Sequence, residues 1–236
     1  MSLVKQALAK QKSEVPKSAV KASAPTKVNQ SENKQTEYAF FKAAINSDLA
    51  QLKTFGDICD KADYKAKAIE KNDYLGYINQ YRLSGDNHPN LVLAWVFIWL
   101  VDLKRWAQAI ELLPLLIEQK QPLPKQFNTK HWPTFLIDQL YDDANWYLQN
   151  ESKFEDVAKI AFVLQRVIDA TQHQDWAGSE IAGGKLYAIA TKIEAAMHNY
   201  GNALRFGQIA QQINDKAGVK TLVAKLKKQL QRQWAT

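Results

Sequence analysis

Apolar residues recur at helical spacing along most of the chain, and no alternating pattern typical of a strand appears. The centre of this pattern is Leu91–Val101, eleven consecutive apolar residues that Asp102 ends. No Gly or Pro falls inside this run, so it predicts a helix that is apolar on nearly all sides and lies at the centre of a helical domain. It is too short to cross a bilayer, which needs about 20 apolar residues. A second helix, predicted over about 104–120, completes an αα-hairpin.

Amphipathic helices are predicted on both sides of this hairpin. The fold class is therefore all-α, a helical bundle of αα-hairpins. Trp106–Ile110 and Tyr200–Leu204 resemble the turn and small-residue positions of tetratricopeptide hairpins, which favours tetratricopeptide-like packing of pairs; no strict 34-residue period links the two segments. Further helices are predicted from Tyr38 to a break at Gly56 and, without interruption, from Asp57 to about Leu83. Two more are predicted over about 134–148 and over 153–173. After the loop that follows, one helix ends near Asn199, and a helical pattern continues through roughly the last 35 residues.

Composition divides the chain into three predicted regions. Residues 1–36 are rich in Lys, Ser, Ala and Gln, contain Pro16 and Pro25, and have no aromatic residue. Such a segment cannot bury enough apolar surface to fold alone, so it is predicted to be a largely disordered basic arm. A helical core with the central hairpin 91–120 is predicted over 37–150, and C-terminal helical hairpins that end in a basic amphipathic helix over 151–236.

The net charge of +7 is concentrated at the two ends. Residues 1–36 carry +5 and residues 216–236 carry +6, so the residues between them carry −4. Basic ends on an acidic body indicate contact with a polyanion; a solubilising tail and an ordinary solvated helix face are an equal alternative. The single cysteine, Cys59, excludes a disulfide framework and fits a reducing, intracellular compartment. The N-terminus has no secretory apolar region.

Motifs that carry catalytic chemistry are scarce. There is no Gly-rich phosphate loop, so the chain is not expected to hydrolyse ATP itself. The four histidines are scattered and form no metal-ligand pair at helical spacing. Asp138, Asp142 and Asp143 are the best acidic cluster, and a nuclease needs two or three carboxylates that converge on a divalent metal. A magnesium-dependent nuclease at these three residues is therefore one hypothesis, against the commoner case of acidic pairs on an exposed helix face. No other catalytic residue, metal or cofactor is predicted.

The basic ends are better candidates for contact with nucleic acid. Lysines along an arm or a helix face neutralise phosphates without reading sequence. In the last helix the basic residues interleave with leucines, a pattern that suits packing on one side and an anion, an oligomer contact or a partner protein on the other. The candidate DNA-binding residues are Lys5, Lys10, Lys12, Lys17, Lys21, Lys27, Lys34, Lys220, Lys227, Lys228 and Arg232.

Several segments, in this order, resemble the terminase small subunit of tailed phages of the GpM type, often called the terminase endonuclease subunit. They are YAFFKAAINSDLAQLK at 38–53, KAKAIEKNDYLGYI at 65–78, the W-x-x-D element at 99–102, the P-x-x-F element at 124–127, and a closing segment at 201–230 that contains A-G-V-K. The similar parts extend over roughly residues 38–232. The collinear order of these elements carries the resemblance, since none of them is a strong motif by itself.

The resemblance implies a definite task. Small subunits of this kind bind the packaging site on concatemeric viral DNA, assemble as oligomers that are commonly rings, and recruit a large ATPase subunit. The family name credits the subunit with endonuclease activity at cohesive-end sites, although this sequence carries no recognisable nuclease motif. The implied partners are double-stranded viral DNA, the large subunit and further copies of this chain, in the host cytoplasm and without a membrane. The alternative from a different class is a tetratricopeptide-like scaffold that binds only protein.

Overall fold

The computed structural model describes residues 30–150 and 152–233, and within these residues the protein is built from helices without a strand. The all-α fold class is confirmed. Residues 1–29 of the predicted arm lie outside the described residues. The helices are α1 Gln30–Leu52, α2 Ile58–Lys71, α3 Tyr74–Leu83, α4 Leu91–Asp102, α5 Trp106–Glu118, α6 Trp132–Gln149, α7 Phe154–Ala170, α8 Glu180–Ala196, α9 Tyr200–Ile213 and α10 Lys220–Gln233.

The contacts divide the chain into two compact units. The first unit runs to Arg105 and includes Gln119–Pro124, so it contains α1 to α4. The second unit comprises Trp106–Glu118 and the chain from Lys125 onward, so it contains α5 to α10. The two helices of the predicted central hairpin therefore belong to different units. The domain limits predicted at residues 36 and 150 stay predictions.

In the first unit α4 is packed by α1, α2 and α3. Nine of its residues between Val92 and Val101 are buried, which confirms the central apolar helix. The side chain of Asn90 caps its start by accepting hydrogen bonds from the amides of Val92 and Leu93, both at 3.1 Å. Its last turn closes through Lys104, which has a left-handed φ of 54°.

The structure corrects two predicted helix boundaries in this unit. The continuous helix predicted over 57–83 is interrupted at Asn72 and Asp73, because Asp73 adopts a left-handed φ of 52° and the side chain of Asn72 donates a hydrogen bond to Asp48 instead of pointing to solvent. Helix α1 begins at Gln30 rather than Tyr38, so residues 30–36 of the predicted arm are helical. These seven residues include neither Gly nor Pro, and nothing in them stops a helix.

In the second unit α8 contacts α6, α7 and α9, while α5 packs on α6 and α7, and α10 packs on α9. Eleven residues of α8 are buried, among them Gly183 and Gly184, where neighbouring side chains approach closely. Successive helices pack as pairs, as the sequence predicts, and the tetratricopeptide-like form of that packing stays a prediction.

Candidate nucleic-acid interface

The basic helix α10 is the candidate interface in the second unit. Val219, Val223 and Leu226 are each at most 3% exposed, so one side of the segment is fixed in the core. These positions recur at spacings of four and three, and the lysines fall between them. The buried valines and leucine therefore decide which face of α10 meets solvent, and that face is the basic one.

A close approach between α9 and α10 fixes this orientation. Gly207 on α9 is buried, and a Cβ at this position would lie 2.5 Å from Cγ2 of Val223 and 3.2 Å from Cγ2 of Thr191. Only a residue without a side chain lets the two helices come this near. The glycine therefore positions the basic face, although it carries no charge itself.

Every charged residue on the exposed side of α10 is basic. Successive residues of a helix are about 100° apart around its axis. This spacing places Lys225, Lys228 and Arg232 opposite the buried face of α10, with Lys220 and Lys227 at one flank. Lys216 precedes the helix, and every one of these residues is exposed. Within the part of the chain that the structure describes, none of the five lysines forms an ion pair. Their charges are therefore available to a bound anion.

Two of these cations were missed among the sequence candidates. Lys216 and Lys225 are exposed, like Lys220, Lys227 and Lys228, and Lys225 lies within about 60° of Lys228 around the helix axis. The signal for both was the acid-free run of charge from 216 to 236. A helical projection of that run would have placed Lys225 on the basic face.

The remaining DNA-binding candidates belong to other parts of the chain. Lys34 lies on α1 in the first unit, where its ammonium pairs with Oδ1 of Asp86 at 3.0 Å. Hydrogen bonds from Ser84 and from Lys34 hold the pKa of the Asp86 carboxyl below its usual value. Lys34 is therefore partly neutralised, unlike the lysines of α10. The other candidates lie outside the described residues; they are Lys5, Lys10, Lys12, Lys17, Lys21 and Lys27.

The three aspartates of the nuclease hypothesis have separate environments. Asp143 is 6% exposed and accepts a hydrogen bond from Nε1 of Trp106 at 3.2 Å. Asp138 pairs with Nζ of Lys185 at 2.7 Å, and Asp142 is exposed. Among the described residues no group of three acidic, histidine or cysteine side chains could hold a metal ion. Asp143 therefore faces the core rather than joining its two neighbours.

Comparison with known proteins identifies the lineage. The family described as "Phage small terminase subunit" matches residues 42–179, which is more than half of the chain. The chain belongs to the phage small terminase subunit family. A relative in Haemophilus phage HP1 (strain HP1c1), named "Probable terminase, endonuclease subunit", is 26% identical over 200 residues, which is 79% of this chain and 68% of the relative. No solved structure matches the chain. The resemblance seen in the sequence is thus confirmed.

Two further findings concern the place of the basic face in the chain and the hydropathy of the helices. The matched range ends at residue 179, before α10 begins at Lys220, so the basic face is a feature of the structure and not of the family match. In the described part of the chain, no helix is both long enough and apolar enough to cross a membrane.

Proposed function

We propose that this terminase small subunit binds viral DNA at the packaging, cohesive-end site and recruits and regulates a separate large ATPase-nuclease subunit. It acts as a homo-oligomer, commonly a ring in this family, in the host cytoplasm. Membership of the family and the relative named as a terminase endonuclease subunit support this task. The sequence has no Gly-rich phosphate loop, which supports an ATPase on a different chain.

The observation that carries DNA binding is the exposed basic face of α10. Lys225 and Arg232 are two turns apart, about 10 Å along the helix axis, with Lys228 between them. Side chains at this spacing reach successive phosphates, and such contacts hold a protein on DNA without specifying sequence. The lysines of residues 1–27 would add further contacts of the same kind.

The experiment that tests DNA binding is a salt series. Fluorescence anisotropy of labelled duplex DNA gives the slope of log affinity against log salt, which changes by about 0.9 for each phosphate that the protein no longer neutralises. The double variant Lys225→Gln/Lys228→Gln is expected to make the slope about 1.8 less steep. Deletion of residues 1–29 measures the contribution of the N-terminal lysines by the same measurement.

A matched control separates this effect from the general loss of charge. The double variant Lys153→Gln/Lys159→Gln removes two exposed lysines of the same unit, one of which already pairs with Asp156 at 2.8 Å. Its slope should equal that of the wild type. Absence of DNA binding at low salt, together with co-purification of a protein partner, would instead establish the scaffold that binds only protein.

A second candidate activity is magnesium-dependent nicking of DNA by this chain. The observation that favours it is the name of the relative, which calls that protein an endonuclease subunit. The carboxylate in question would be the exposed Asp142, since Asp138, one helical turn away, is paired with Lys185 at 2.7 Å. Nicking that needs Mg²⁺ and is lost in Asp142→Ala would support it, and nicking that is unchanged in this variant would remove it.

A further inference from the structure

A groove of about 650 Å³ lies in the first unit, between the N-terminal half of α1 and the loop that joins α3 to α4. This volume is in the range of sites that bind small molecules and peptide segments. Its walls include the rings of Tyr38, Tyr81 and His88, together with Pro89. The ring centroids of Tyr38 and His88 are 4.5 Å apart, and those of Tyr81 and His88 are 5.1 Å apart. The groove is therefore lined by a continuous aromatic wall.

Hydrogen bonds hold this wall in place. The hydroxyl of Tyr38 donates to the carbonyl of Pro89 at 3.0 Å and accepts from the amide of Leu91 at 3.3 Å. The hydroxyl of Tyr81 accepts from the amide of His88 at 3.1 Å. Because these bonds connect α1 and α3 to the loop, the rings are oriented before any ligand arrives, which lowers the entropic cost of binding.

Glu37 supplies an unused negative charge at the groove. Asp86 already pairs with Lys34, whereas the side chain of Glu37 forms neither an ion pair nor a hydrogen bond with another described residue. Lys42 also lines the groove, where its ammonium lies 5.9 Å from the centroid of the Tyr38 ring and keeps its charge. The groove thus presents aromatic rings, the ammonium of Lys42 and the unpaired carboxylate of Glu37, which fits an apolar, ring-bearing segment with a cation that pairs with Glu37.

The chain itself contains such a segment directly before the groove. Residues 15–29, which we name the proline–lysine segment, contain Pro16 and Pro25 with Lys17, Lys21 and Lys27. Proline-containing segments dock in aromatic-lined grooves, and the lysines complement Glu37. We propose that the groove binds the proline–lysine segment of the same chain.

The chain length allows this contact. The described part of the chain begins at Gln30, and Pro25 precedes it by five residues, which span at most about 17 Å. Tyr38 lies eight residues into α1, about 12 Å along its axis. A segment tethered this closely has an effective concentration in the millimolar range, so even a weak contact is populated.

Docking bears on DNA binding, and this consequence rests on the proposed function. Lys17, Lys21 and Lys27 are among the candidates for phosphate contact, so the groove and DNA would compete for the same lysines. The contact itself involves no DNA. It can therefore be tested alone, and its failure would leave DNA binding by α10 untouched.

The test is limited trypsin digestion of the full-length protein without DNA, followed by mass spectrometry of the cleavage after Lys27. Cleavage of a transiently released segment tracks the free population. With a docked-to-free ratio of about 4, the rate in the wild type is about one fifth of that in the free segment. Each rate is normalised to a synthetic peptide of residues 15–33, which carries the substitution where this lies at Pro25 or Thr26 and is otherwise of wild-type sequence. The normalisation removes the direct effect of sequence on trypsin.

Two variants and two controls decide the outcome. Pro25→Ala is expected to raise the normalised rate about fivefold, because it removes the ring proposed to contact the aromatic wall. Glu37→Gln is expected to raise it about twofold, because it removes the carboxylate proposed to pair with a lysine of the segment. Thr26→Ala in the segment and Asp63→Asn, an exposed carboxylate elsewhere in the first unit, should leave the rate unchanged. Equal normalised rates in the wild type, in Pro25→Ala and in Glu37→Gln would overturn the proposal. Protection that disappears on dilution would also overturn it, in favour of the segment of a second copy.

Discussion

The first unit buries polar groups that its tyrosines satisfy, whereas the second unit buries small residues that let helices approach closely. In the first unit the carboxylate of Asp48, 8% exposed, accepts three hydrogen bonds. The hydroxyl of Tyr64 donates to Oδ1 at 2.8 Å, while Asn72 and the hydroxyl of Tyr74 donate to Oδ2. These bonds join α1 to α2, to α3 and to the break between them.

The second unit has a different kind of contact at its centre. A Cβ on Gly183 would lie 2.7 Å from Cδ2 of Trp176, and a Cβ on Gly184 would lie 2.8 Å from Cβ of Asn214. Gly207 meets Val223 in the same way. Close packing of this kind leaves no room for an added methyl group.

The difference predicts opposite sensitivities. The first unit should be damaged most by removing a polar group, because the hydrogen-bonding partners would remain buried without a bond. The second unit should be damaged most by adding volume, because helices that touch cannot separate without disturbing the packing around them.

The largest effect is expected for Asp48→Ala. The substitution removes the acceptor of three hydrogen bonds. It leaves the buried hydroxyl of Tyr74 without an acceptor for its proton, although this hydroxyl still accepts from Asn72 at 3.2 Å, and it should lower the free energy of unfolding by about 3–5 kcal/mol. Urea denaturation followed by circular dichroism measures this loss. The exposed Asp63→Ala on α2 is the control and should change stability by less than about 0.5 kcal/mol. Equal losses in the two variants would contradict the comparison.

A smaller loss is expected in the second unit for Gly207→Ala. The added methyl group overlaps Val223, at a cost of about 1–3 kcal/mol. The better helix propensity of alanine returns up to about 1 kcal/mol. The net destabilisation, up to about 2 kcal/mol when alanine returns the full amount, is again read from urea denaturation. Because the displaced helix is α10, weaker DNA binding should accompany it.

Two further variants sharpen this prediction. Among the described residues, nothing outside the neighbouring backbone of its own helix lies within 4 Å of a methyl group added at Gly201, so Gly201→Ala should stabilise the protein by about 0.5–1 kcal/mol. Val223→Ala should cost less in the Gly207→Ala background than alone, because the two changes share one space. If the two stability costs simply add, the overlap between the added methyl group and Val223 must be relieved by a movement elsewhere.

The sequence predicted those parts of the fold that depend on periodicity. Helix α4 follows from eleven apolar residues, and α10 from alternating leucines and lysines. The break at Asn72 and Asp73 could not be predicted, because it depends on a hydrogen bond from Asn72 to Asp48, 24 residues away. Local propensity in KNDYLG tolerates either a continuous or a broken helix, and a tertiary contact decides between them.

The candidate interface was predicted only in part, for a related reason. Charge and the interleaved leucines identified Lys220, Lys227, Lys228 and Arg232, but how closely α10 packs on α9 depends on the contact with Gly207. For the acidic cluster of Asp138, Asp142 and Asp143, closeness in the sequence was instead misleading. Adjacent aspartates at 142 and 143 point to different environments, since one is exposed and the other accepts a hydrogen bond from Trp106. Neighbours in a helical sequence are about 100° apart, so proximity in sequence did not make a site.

The smallest predicted effect is a late titration of tyrosines in the first unit. Burial, followed by the hydrogen bond to Asp48, raises the pKa of Tyr64 to about 12 from 10.0. The same causes raise the pKa of Tyr74, and burial raises that of Tyr77. The folded protein therefore retains these protons between pH 10 and 12, where the unfolded chain loses them, so stability should fall as pH rises through this window. Absorbance at 295 nm should show a late group of tyrosines, reduced by one in Tyr64→Phe. Ionisation of every tyrosine in one step near pH 10, with the protein still folded, would mean that burial in the first unit is looser than its hydrogen bonds indicate.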